Sequence, residues 1–232
     1  MSAAGPFRIG FLLFPRLTQL DLTGPYEVLA RLPGAEVALV AKTLDPVASE
    51  RGLAILPTAT FALCPPLDLV CVPGGPGSNA AMEDAETLAF LRRAAESARY
   101  VTSVCTGSLV LAAAGLLRGR RAACHWMSRD LLRRLGTEPT AERVVVDGKF
   151  ISGGGVTAGI DFALAVVAEL RGRETAEAIQ LMIEYDPHPP FDAGTPERAP
   201  PALVAQVRER AAGFMRERED AVGRAAAALG AR

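Results

Sequence analysis

Of the four cysteines in this chain of 232 residues, Cys105 stands in a setting unlike the others. The run Tyr100-Val101-Thr102-Ser103-Val104-Cys105-Thr106-Gly107-Ser108 passes from a β-branched stretch into a helical one, with the cysteine at the junction. A nucleophile elbow has this form: the reactive residue stands on a strained turn, and small residues such as Gly107 and Ser108 let the backbone fold tightly beneath it. At a helix N-terminus, unpaired amides and the helix dipole favour the thiolate, so the sequence predicts a lowered pKa for Cys105. Cys64, Cys71 and Cys124 fall in a pre-strand loop, a buried strand and the position before His125, contexts that suit small buried hydrophobes. They form no C-x-x-C pair, and apart from Cys124-His125 no histidine stands at ligand spacing, so no metal is expected.

Asp21, in Thr18-Gln19-Leu20-Asp21-Leu22-Thr23-Gly24-Pro25, is the second candidate. A carboxyl flanked by leucines and close to a thiolate has its pKa raised by desolvation and like charge, which suits proton transfer near neutral pH. A helix cap for the segment holding Tyr26, Val28 and Leu29 accounts for the same residue equally well. In Val72-Pro73-Gly74-Gly75-Pro76-Gly77, the amides of Gly74 and Gly75 could hold a developing negative charge, and Gly154 is placed with them. Gly153-Gly154-Gly155-Val156-Thr157-Ala158 satisfies G-x-G-x-x-A in form, but it comes late and lacks a βαβ continuation with a ribose-binding acid. It reads instead as a close backbone approach, with Thr157 capping the helix of Asp161, Phe162 and Leu164. Of the two histidines, His125 reads as a packed residue and His188 as a solvated or lid residue in a proline-rich loop.

These residues need a scaffold, and the chain supplies one by alternating short apolar runs with longer helical stretches over its first 185 residues. That alternation predicts βα units around a mostly parallel, buried sheet, with the ligand site beyond the carboxyl ends of its strands. Strands are expected at 8–14, 36–41, 69–72, 100–104 and 149–152, and helices at 84–98, 108–116, 161–170 and 175–185. Short hairpins are expected at 47–57 and 142–150. The stretch 185–201 is too rich in proline for regular structure and reads as an ordered surface loop. A final helix, 202–228, aligns Leu203, Val207, Ala211, Phe214 and Met215 on one face for packing on the body or a second subunit, with its alanine-rich last turn at most a fraying end. The whole, 1–232, is expected to be one domain.

Composition narrows the class further. Half the residues are apolar, 22 % are charged, and the net charge is −1, which points to no polyanionic partner; the basic clusters at 118–121 and 133–134 read as ordinary turn and helix-face charges. No uncharged apolar run approaches a membrane span, and Met1-Ser2-Ala3-Ala4-Gly5-Pro6 does not open a signal peptide, so a cytoplasmic protein with free thiols is expected.

At the residues quoted above the chain resembles the ThiJ/PfpI superfamily, related to class I glutamine amidotransferases, and within it the isonitrile (isocyanide) hydratases. The resemblance rests on Ile9-Gly10-Phe11-Leu12-Leu13-Phe14-Pro15, Leu20-Asp21-Leu22-Thr23-Gly24-Pro25, Pro73-Gly74-Gly75 and the stretches 101–111 and 153–163. It implies a flavodoxin-like α/β fold, Cys105 as nucleophile, Asp21 as general acid/base, Thr106 as the adjoining hydroxyl that orients Asp21 or water, a homodimer, and no cofactor. PfpI-type peptidases place histidine directly after the nucleophile, where this chain has Thr106. Glutamine amidotransferases use a late histidine followed by proline and glutamate, which His188-Pro189-Pro190 matches only in part, and many glyoxalase- or deglycase-like relatives carry glutamate where Asp21 stands. The expected reaction is therefore addition of water to a small isonitrile. The competing expectations are a ligand-sensing domain like those that precede the helix-turn-helix region of AraC-type regulators, for which this chain leaves no room after its last helix, and a cysteine-dependent stress or carbonyl-handling protein.

Overall fold

The computed structural model describes residues 5–230; the signal-peptide reading at 1–4 lies outside them. In chain order the elements are β1 (Phe7–Leu12), α1 (Gln19–Leu29), β2 (Ala35–Ala41), β3 (Val47–Ala48), β4 (Ala54–Ile55), β5 (Ala59–Thr60) and β6 (Leu69–Val72). There follow α2 (Ser78–Ala81), α3 (Ala85–Ser97), β7 (Tyr100–Val104), α4 (Gly107–Ala113), β8 (Arg121–Ala123), a 3-10 helix (Arg129–Leu135) and β9 (Glu138–Thr140). The last are β10 (Val144–Asp147), β11 (Phe150–Gly153), α5 (Ala158–Arg171), α6 (Arg173–Met182) and α7 (Pro201–Gly230).

The main sheet runs β10-β11-β7-β6-β1-β2-β5. All its pairings are parallel except β10 with β11, which is the hairpin expected at 142–150. Every residue of β6 and β7 is buried, because helices cover both faces of the sheet, and this is why these strands read as unbroken apolar or small-residue runs. The order of the long parallel strands, β2-β1-β6-β7-β11, is flavodoxin-like, and it reverses between β1 and β6. The crevice beyond the carboxyl ends of β1, β6 and β7 is the place such a sheet offers a ligand, and Asp21, Gly74 and Cys105 all follow those strands.

Tight contacts hold the helices beside that crevice. A β-carbon on Gly159 of α5 would lie 2.8 Å from Pro25 Cδ, so α5 rides directly on α1. Pro25 sits inside α1 and has no amide hydrogen to offer the carbonyl of Asp21 four residues earlier. Gly107 is equally constrained, since its β-carbon would fall 2.1 Å from Val72 O, and the elbow can form only with glycine there.

Three expectations are corrected. Thr157 occupies the N-cap position of α5, but its side chain caps nothing; Oγ1 instead accepts from Arg143 Nη2 at 3.3 Å, the guanidinium that also binds Asp161. On α7 the expected face is half-buried at Val207, Ala211, Phe214 and Met215, but Leu203 at its start is 38 % exposed and the fully buried residues are the later Arg218, Ala221, Val222 and Ala225. The alanine-rich end is docked, with Ala225 buried and Leu229 packed against the core, because small side chains let this helix approach the body closely.

Candidate active site

Cys105 has φ of +57°, left-handed backbone that a residue with a β-carbon adopts at a cost on the order of 1 kcal/mol. The strain is held by neighbours on both sides. The Cys105 amide donates to Gly153 O at 3.0 Å, which ties the elbow to the end of β11, and Ser108 Oγ donates to Cys105 O at 3.1 Å. The resulting thiol is 5 % exposed.

Asp21 comes to the sulfur from α1. It is fully buried and lies in the first turn of the helix, past the N-cap position that Thr18 holds. Oδ2 accepts from the Gly74 amide at 2.9 Å, whereas Oδ1 is buried without a hydrogen-bond partner. Buried carboxylate oxygens are ordinarily hydrogen-bonded, because burial removes their water. Burial pushes the Asp21 carboxyl up to about 7; the Gly74 amide and then the Cys105 thiol pull the other way, and the charge of Glu50 adds a little to the rise.

The turn after β6 joins the two. A β-carbon on Gly74 would fall 2.5 Å from Thr106 N, 2.6 Å from Thr106 Oγ1 and 2.9 Å from Asp21 Oδ2, so the glycine lies between the carboxyl and the residue after Cys105. Gly75, at φ of +120°, donates its amide to Thr106 Oγ1 at 2.9 Å. The Ser78 hydroxyl donates to Gly75 O at 2.6 Å and lies 3.0 Å from Thr106 Oγ1.

These bonds revise the roles read from sequence. The amides of Gly74 and Gly75 are engaged by Asp21 and Thr106, and that of Gly154 by Arg143 O at 2.9 Å, so none is free to hold a new negative charge. Thr106 Oγ1 bonds to the Gly75–Ser78 turn and not to Asp21; its amide is the group that faces the Cys105 sulfur and favours the thiolate. Nor is the thiol acidic at rest. Burial first, then the charges of Asp21 and Cys124, push Cys105 well above the ordinary cysteine value, outweighing the Thr106 amide and the cation of Arg218. The dipole of the seven-residue α4 is too short a lever against that desolvation. The remaining cysteines behave as buried hydrophobes: desolvation raises Cys71 to about 12 and Cys124 to about 11. His125 is driven down to about 4 by burial and by Arg218, so it is neutral, and His188 is exposed in its loop. Among the described residues no cluster of acids, cysteines and histidines could hold a metal.

Arg218 was not singled out from sequence. It is 4 % exposed and its guanidinium reaches across from α7 to donate to Asn79 Oδ1 (2.9 Å), Ser128 Oγ (2.9 Å), Gly75 O (3.0 Å) and Ser78 Oγ (3.3 Å), over the Phe214 ring at 4.5 Å. A signal was present: the apolar positions Phe214 and Met215, continued by helical spacing, land on Arg218 before Ala221 and Val222. A cavity of about 850 Å³ shares Asn79 and Phe214 with this arginine, but neither Cys105 nor Asp21 is in its wall; it borders the site without containing it.

Comparison with known proteins follows this geometry closely: a model of the DJ-1/PfpI family matches residues 7–169, from the start of β1 to within α5. The chain belongs to the DJ-1/PfpI family. One relative in that family is the isonitrile hydratase of Pseudomonas putida, 57 % identical over 97 % of this chain and 99 % of its own length. The HTH-type transcriptional regulator GbdR of Pseudomonas aeruginosa is 34 % identical and aligns with 78 % of this chain, but that alignment covers only 51 % of the regulator. Among solved structures, a ThiJ/PfpI family protein from Pseudomonas syringae superposes with a TM-score of 0.92 at 49 % identity, covering 94 % of this chain and 91 % of that one. The central parallel sheet flanked by helices is thus the fold of DJ-1/PfpI proteins.

Proposed function

We propose that this DJ-1/PfpI protein is an isonitrile hydratase, a hydro-lyase that adds water to R–NC and releases an N-substituted formamide. The observation that carries this reading is the end-to-end match to the Pseudomonas putida enzyme, which includes α7 as well as the family core. The site geometry suits the reaction. A resting thiol and a carboxyl near its midpoint at neutral pH form a pair that can pass one proton without holding two negative charges.

The steps follow from that pair. The Asp21 carboxylate, whose Oδ1 is left without a hydrogen-bond partner, takes the Cys105 proton as sulfur attacks the terminal carbon of the isonitrile. The same proton goes to that carbon, giving a thioimidate, R–N=CH–S–Cys105, with no charge left over. Water then adds to the carbon while Asp21 moves its proton to the nitrogen. Collapse of the R–NH–CH(OH)–S adduct releases R–NH–CHO and returns the thiol. One nucleophile and one proton carrier suffice, and neutral His125 takes no part.

The protein acts on this reading as a homodimer in the cytoplasm. Large exposed apolar side chains at Leu181, Met182 and Phe191 support a second copy as their cover, and the unpaired cysteines suit a reducing compartment. Among the described residues no helix is long and apolar enough to cross a membrane. The test is a formamide assay on the purified protein with several isonitriles of different size. Catalytic formamide production is expected; saturable isonitrile binding without turnover would replace the enzyme with a sensor.

A further inference from the structure

Arg218 is a buried cation without a buried anion to explain it. Among the described residues no carboxylate forms an ion pair with it, and burial lowers its own pKa. Buried charges are normally paired with an opposite charge, whereas this one is met only by neutral acceptors on Asn79, Ser128, Gly75 and Ser78. What lies nearby is the reactive corner: the charge of Arg218 acts on Cys105, Cys124 and His125. Its hydrogen bonds go to the turn that carries Thr106. Gly75 O accepts from Arg218 Nη2 while the Gly75 amide donates to Thr106 Oγ1, and Ser78 Oγ stands between Arg218 and Thr106. Three segments far apart in the chain, around residues 75–79, 128 and 218, are thereby fixed at one guanidinium.

We propose that Arg218 is a positioning residue of the Cys105 site: its fork locks the Gly75–Ser78 turn against Thr106, and its charge supports the anion that forms when the thiol gives up its proton. The inference rests on Cys105 being the nucleophile and goes beyond it by making α7, outside the matched family region, part of the active site. The titratable groups that bear on the sulfur are Asp21 from α1, Cys124 after β8 and Arg218 from α7; the first two oppose the thiolate and only the last favours it.

The experiment is the pH profile of Cys105 alkylation by iodoacetamide, read by peptide mass spectrometry, in wild type, Arg218→Met and Arg218→Lys, alongside kcat and KM for an isonitrile. For Arg218→Met the alkylation midpoint should rise by about one pH unit, so that the rate below it falls about tenfold, and Arg218→Lys should restore most of the shift. A folded Arg218→Met protein with the wild-type profile would overturn the proposal. If that variant does not fold, Arg218→Lys carries the test: it keeps the charge and loses the fork, so kcat should fall at least about fivefold with little change in KM. Unchanged kcat would then overturn it. Alkylation needs no isonitrile, so absence of turnover in wild type would remove the functional reading without touching the role of Arg218.

Discussion

Two ionisable groups that each resist charge when buried become useful when they share one proton. Cys105 is held as a thiol by desolvation and by Asp21, and Asp21 is raised to about 7 chiefly by burial. Replacing Asp21 by Asn leaves a group of the same shape that cannot accept the proton, and kcat for an isonitrile should fall by at least about a hundredfold, the usual scale of general acid/base catalysis. Turnover by Asp21→Asn at the wild-type rate across pH 6–9 would sink the assignment. The strain at Cys105 yields a separate prediction. Because φ is +57°, Cys105→Gly should be more stable than Cys105→Ala by roughly 1 kcal/mol in urea denaturation, and equal stabilities would mean the elbow is not strained. At this scale Cys105 was legible because a strand, a cysteine and a glycine in that order have few other uses. Asp21 was legible as a candidate, but its residues alone left a helix cap and a proton carrier equally open, since both need only a carboxyl near the start of a helix. Arg218 was missed because charge on a helix is ordinarily read as solvent-facing.

Elements place these groups through close backbone approach. The three turns after β1, β6 and β7 meet only because Gly74, Gly75 and Gly107 leave room where a β-carbon would collide. Gly107→Ala would set a methyl 2.1 Å from Val72 O and should destabilise the fold by several kcal/mol, measurable as a lowered Tm; a Tm within two or three degrees of wild type would contradict the packing described for the elbow. Strands β6 and β7 could be read to the residue because burial on both faces leaves an uncharged run of apolar, β-branched or small residues. The long α7 could be read as a helix but not in its docking, since its apolar stripe shifts from Leu203 at the exposed start to Ala221, Val222 and Ala225 at the buried end. Small residues give weak hydrophobic signals even where they pack most closely.

For the whole molecule, the raised pKa of Asp21 couples folding to pH. The folded carboxyl binds its proton up to about 7, the unfolded one only to the ordinary value of 3.8, so between those values the native state holds more protons. Stability from this group is complete below pH 4 and is lost as pH rises through 7, an effect on the order of 4 kcal/mol. Asp21→Asn lacks this titration, and its stability relative to wild type should improve from pH 5 to about pH 7 and level off above that in urea unfolding; a constant difference would show that the carboxyl is not raised. The homodimer reading predicts a sedimenting species of twice 24.4 kDa, and a monomer at micromolar concentration would remove it. The central claim, that Cys105 adds to an isonitrile, is tested most directly by following formamide release from one isonitrile with wild type and Cys105→Ala side by side. The account predicts steady formamide production by the wild type and none above the uncatalysed rate by the folded variant; formamide produced equally fast by both proteins would contradict it.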